Sequence, residues 1–170
     1  AASLEALLRE AEQKLNTDRT LAESLEKSKT VLLAMLFQLG EPRGKPDQPL
    51  PDYVQKNSLT NVKDDIGGES SGYLPLPALA TVAPIAAVGI HAAAIGHLNT
   101  HVDIDGGIRT EPLVLRYYNQ YLPSLSVMLA AKSLNLETKD IKVSLGQGVS
   151  LGNLKTATDP ALQMHTFFYK

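Results

Sequence analysis

The sequence predicts a mixed α+β domain built on a mixed, largely antiparallel sheet with helices packed on its faces. Three observations lead there. Helical and extended patterns interleave along the chain, the apolar run Val31–Phe37 shows no polar alternation, and successive extended segments are joined by connections short enough for hairpins. At 170 residues and 44% apolar, the chain has the length of a single domain over 1–170 and enough apolar material for a core.

The elements follow in order. Ser3 is placed to cap a first helix with Leu4, Leu7, Leu8, Ala11 and Leu15 on one face, and Glu5 near its start suits the helix dipole. Asn16-Thr17-Asp18 ends it, and Asp18 can cap a second helix carrying Leu21, Ala22 and Leu25, with Lys27 and Lys29 at its end. Val31–Phe37 then reads as a strand buried on both faces. Residues 40–51 hold four prolines and form a loop, because proline can serve neither a helix interior nor a sheet ladder. Tyr53 to Val62 reads as a short helix and a short strand, and 64–72 as a flexible loop.

From Ser70 to Val102 no side chain is charged. Pro75, Pro77, Pro84 and His91 argue against a membrane span, and Pro84 is placed to begin a buried helix reaching about Ala94. Gly96–Asp103 alternates polar and apolar residues, as a strand with one wet face does. Asp103-Ile104-Asp105-Gly106-Gly107 supplies a turn, and Ile108–Tyr117 returns as a hairpin partner in which Pro112 implies an edge or a bulge. Asn119-Gln120 turns the chain into a helix opened by Pro123 and running to Asn135. Strands are expected at Ile141–Leu145, Val149–Leu151 and Gln163–Tyr169.

Composition excludes several functions. With 16 basic and 18 acidic residues the net charge is −2, and no basic stripe or interleaved aromatic set offers a nucleic-acid surface. Cysteine is absent, so disulfides, thiolate catalysis and cysteine metal sites are out. The sequence has no initiator Met and no leader pattern, and it stops inside an extended segment, as an excised portion of a longer protein would. Membrane spans are then expected outside it.

The most suggestive chemistry lies at His97, Asn99, His101 and Asp103, which alternate along one expected strand face. Two imidazoles and a carboxylate there could hold Zn²⁺ in a small metal-dependent enzyme, or the face could simply be solvated. Asp103–Gly107 resembles the start of a calcium loop, but Val114 stands where the twelfth-position acid belongs. Arg109 is close enough to pair with a carboxylate of that turn. Gly146-Gln147-Gly148 is followed by a strand pattern rather than a helix, so a hairpin turn is expected in place of a phosphate loop.

Gly96-His97-Leu98-Asn99, then Asp103-Ile104-Asp105-Gly106-Gly107-Ile108-Arg109, Pro112-Leu113 and Tyr121-Leu122-Pro123-Ser124-Leu125, resemble in order and spacing the CHASE-two family of extracytoplasmic sensory modules. The block Asp18, Leu21, Ala22, Leu25, Val31-Leu32-Leu33 and the closing Thr158-Asp159 and Met164 are similar to it as well, so the likeness runs over about 18–170. Leu122 is an addition to the family pattern, and its earlier tryptophan-containing block is not visible. The resemblance implies a non-catalytic sensor without a cofactor, lying in the periplasm and tethered to a bacterial membrane receptor. It would receive a small-molecule or environmental signal, possess a pocket or homodimer contact, and relay to a cytoplasmic cyclase, diguanylate cyclase or protein kinase. His97, Asn99, His101 and Arg109 are the expected polar recognition set.

Overall fold

The computed structural model describes residues 3–46 and 49–167. Its elements are α1 (Leu4–Leu15), α2 (Thr17–Ser28), β1 (Leu32–Leu39), α3 (Asp52–Gln55), β2 (Asn61–Lys63), β3 (Leu76–Val82), α4 (Ala86–Gly89), β4 (Ala94–His97), β5 (Thr110–Pro112), β6 (Val114–Tyr117), β7 (Gln120–Pro123), α5 (Leu125–Ser133), β8 (Ile141–Ser144), β9 (Gly148–Leu151), β10 (Leu154–Ala157) and β11 (Gln163–His165). The central sheet has the order β4-β1-β3-β6-β7, a second sheet the order β10-β9-β8-β2, and β11 pairs with β5. β1–β4, β2–β8 and β3–β6 are parallel, and the other five pairings are antiparallel. The fold is thus mixed α+β with a largely antiparallel, mixed sheet system, as the sequence predicts.

Two apolar cores lie on opposite faces of the central sheet. Val114 from β6, Val127 and Met128 from α5, and Ile141, Val143 and Val149 from β8 and β9 fill one. Phe37, Leu50, Val54, Ile95, Leu115, Tyr117 and Leu122 fill the other, under α3 and the proline-rich loop. Alternation along β6 sorts its residues between them: Val114 enters the first core, Leu115 and Tyr117 the second.

Several local expectations are corrected. Asn16, not Asp18, caps α2, its Oδ1 accepting the Arg19 N–H at 3.0 Å. Asp18 lies in the first turn instead, where the dipole still favours its charge. β1 is not buried on both faces: Met35 and Phe37 point inward, whereas Ala34, Leu36 and Gln38 face solvent. The helix expected from Pro84 is one turn only, preceded by the strand β3 and followed by β4. Alanine-rich sequence fits a helix or a covered strand equally, and here sheet pairing with β1 decides. Pro123 ends β7 rather than opening a helix, and Ser124 caps α5 by accepting the Val127 N–H at 3.3 Å. The Ile108–Tyr117 strand breaks after Pro112, which lies in the two-stranded ribbon with β11. The last strand covers Gln163–His165, and 168–170 fall outside the described residues.

Candidate functional site

β4 is buried throughout and ends at His97, so the expected wet strand face does not form. The cause lies in Asn99. Its Oδ1 accepts the Phe37 N–H at 2.9 Å and its Nδ2 donates to the Phe37 carbonyl at 2.7 Å, so a side chain takes the place of the next ladder bonds. His97 is 1% exposed, meets the Phe37 ring edge-on at 6.4 Å, and has no hydrogen-bond partner at either ring nitrogen among the described residues. Burial lowers its pKa from 6.5 to about 3, so the imidazole is neutral in the folded state.

His101 is half-buried and bridges to Thr110, and with the Asp103 N–H bonded to the Gly107 carbonyl at 2.8 Å the expected hairpin is reduced to its turn and one isolated bridge. Arg109 lies at the surface of the turn. Its Nη1 donates to Asp103 at 2.7 Å, and its Nη1 and Nη2 hold both oxygens of Asp105 at 2.8 and 2.7 Å. That guanidinium, with the Gly107 N–H, lowers the Asp105 pKa to about 2. His97 and Asn99 are therefore together at the end of β4, while Arg109 belongs to a separate exposed turn. Among the described residues, no three His, Asp or Glu side chains are gathered as metal ligands. His97, His101 and Asp103 are not brought together, because His97 turns into the core and Asp103 pairs with Arg109.

A different feature has the form of a binding site. Between the proline-rich loop, α3 and the β6–β7 hairpin lies a cavity of about 510 Å³, within the range of small-ligand sites. Leu50 and Tyr117 supply apolar walls and Lys45, Gln55, Asn119 and Gln120 supply polar groups. Tyr117 and Gln120 are cross-strand partners in β6 and β7, which leaves only Tyr118 and Asn119 to turn the hairpin. Tyr118 takes φ +53°, a left-handed conformation that such turns normally give to glycine or asparagine. Its ring meets Tyr117 edge-on at 4.9 Å, and Tyr117 meets Phe37 at 5.7 Å. A continuous aromatic row thus runs from the cavity wall through Phe37 to His97. The sequence reading missed this site because its walls come from segments far apart in the chain; the φ at Tyr118 leaves no trace in residue type.

The chain is a mixed α+β domain with a buried, neutral histidine and a solvent-facing cavity. The CHASE2 domain family model matches residues 3–169, and the chain belongs to that family. Its members are extracytoplasmic sensory modules, not catalytic domains. The match reaches fifteen residues further towards the N-terminus than the resemblance read from motifs, taking in α1. Comparison with curated proteins and with solved structures gives no match. Among the described residues, no helix is long and apolar enough to cross a membrane.

Proposed function

We propose that this chain is the periplasmic input domain of a bacterial transmembrane receptor, tethered by membrane spans outside residues 1–170 and relaying to a cytoplasmic adenylate or diguanylate cyclase or protein kinase. The family match over 3–169 carries the reading. A sensor works by binding one of two conformations better than the other, so it needs a site coupled to the rest of its fold. The cavity and the aromatic row supply a candidate for both. Of the expected recognition set, His101 and Arg109 are the members near the surface, whereas His97 and Asn99 lie at the inner end of that row.

A homodimer fits the same reading. Leu4, Leu7, Leu8 and Leu15 of α1 are all more than half exposed, and a groove beside α2 and β1 exposes Leu21, Leu36, Val82, Ile85 and Leu98. An apolar ridge and an apolar groove on one chain suit reciprocal exchange between two copies.

Topology mapping tests the proposed location. A reporter active only outside the cytoplasm, fused after residue 170 in the full-length gene product, should be active. Activity of a cytoplasm-only reporter at that point would overturn the reading, as would a full-length sequence without membrane spans and an output domain.

A further inference from the structure

We propose that β4 and the segment after it form an acid-released latch: His97 is buried and neutral while the latch is closed, takes a proton when it opens, and so makes opening more frequent as the surroundings acidify. On the sensory reading, on which this use rests, acid is the input; opening itself is measured on the chain alone.

β4 is an edge strand of the central sheet, paired along its length with β1. Its outer edge is held by a side chain and a single bridge: Asn57 Oδ1 accepts the Ile95 N–H at 3.0 Å, and Ser124 pairs with His97. Beyond His97, the Leu98 N–H donates to the Met35 carbonyl at 3.0 Å, and Asn99 makes its two bonds to Phe37. Val102, Ile104 and Ile108 are then exposed, and the His101–Thr110 bridge ties the segment back. Few bonds therefore have to break to uncover His97, and segments held this sparsely open without unfolding the rest of a domain.

The imidazole stands at the inner end of the latch, 1% exposed, with neither ring nitrogen hydrogen-bonded among the described residues. A ring buried without an acceptor sheds its proton, because charge is costly there. The elements around it bring little charge: β1 carries no titratable side chain, Tyr117 of β6 meets Phe37, Tyr121 lies on β7, Asp52 and Tyr53 on α3, and Lys132 on α5. Asp18 lines the groove beside Met35 and Leu98, and Glu111 is bonded to Ser126 in the first turn of α5. Burial alone keeps the ring neutral. Opening restores the ordinary histidine pKa, so a proton binds the open form and raises its population.

Amide hydrogen exchange, followed residue by residue by NMR on the purified chain, tests the latch. The Leu98 and Phe37 amides report its opening, and the Leu145 amide, bonded to the Lys63 carbonyl at 2.9 Å in the second sheet, is the reference. Protection at Leu98 and Phe37 should be at least about tenfold below that at Leu145. It should fall about 25-fold from pH 7 to pH 5, the factor by which a ring of ordinary pKa favours the open form over that interval. In His97→Leu, which keeps His91, His101 and His165, the fall should be less than about threefold. Equal protection at Leu98 and Leu145 at both pH values would mean that opening is global, and overturns the proposal. So does a fall of less than about fivefold in the native chain, or an equal fall in His97→Leu. A His97 ring whose carbon-13 shifts titrate near its ordinary pKa in the closed chain overturns it too, whether or not the variant folds. Each of these results leaves the sensory reading standing, since that reading is decided by topology and output.

Discussion

At the scale of single residues, His97 has the largest chemical consequence in the structure. Its folded-state pKa, about 3, lies below its ordinary value of 6.5, so the fold favours the neutral ring. The stabilisation is fully present above pH 6.5 and is lost progressively as pH falls from 6.5 towards 3, with a limiting slope of about 1.4 kcal/mol per pH unit. Asp105 contributes in the same direction but only below its ordinary value of 3.8, so the window between pH 4 and 6.5 isolates the histidine. Urea unfolding at pH 7, 5.5 and 4.5 should show this loss in the native chain and a much flatter profile in His97→Leu. Equal slopes in the two proteins would show that His97 does not titrate as the structure requires. Asn99, by contrast, does its work without charge, closing the backbone of Phe37 where the ladder of β4 stops.

At the scale of elements, the contact between β4 and α5 shows how a single missing side chain sets the spacing of two layers. A Cβ on Gly96 would lie 2.6 Å from both the backbone nitrogen and the Cα of Leu125, a distance no relaxed packing allows. The first turn of α5 sits on the bare backbone of β4, and neither partner can yield without moving an element. Gly96→Ala should cost about 1–3 kcal/mol through overpacking, read as a lowered melting temperature with α5 displaced. An unchanged melting temperature would mean that the two elements slide apart freely. Asn57 ties a second junction, donating to the Tyr53 carbonyl at 2.9 Å and accepting the Ile95 N–H at 3.0 Å, so that α3 is fixed to β4. Elements with local signals were legible: Ser3 caps α1, and the strands on either side of Gly146-Gln147-Gly148 form where alternation places them. Elements that depend on a neighbour were not, as β3 and the one-turn α4 show.

At the scale of the whole molecule, α1 stands apart from the two cores with its leucines exposed. An isolated helix of 12 residues is marginal in water, so its formation calls for a covering surface. Sedimentation equilibrium should find a dimer that Leu8→Glu with Leu15→Glu converts to a folded monomer; a wild-type monomer at high concentration would refute the exchange. By itself, the sequence determined the class of fold, α1 with its Ser3 cap, the Asp103–Gly107 turn with its arginine, and the family, because periodicity, caps and turn motifs act over a few residues. Tertiary structure alone decided that His97 is core rather than wet surface, that β1 has one open face, and that Leu50, Tyr117, Tyr118 and Gln120 share a cavity. The reason is physical: burial, strand partners and cavity walls are set by segments tens of residues apart, and an alternating or alanine-rich stretch has the same pattern whichever neighbour covers it.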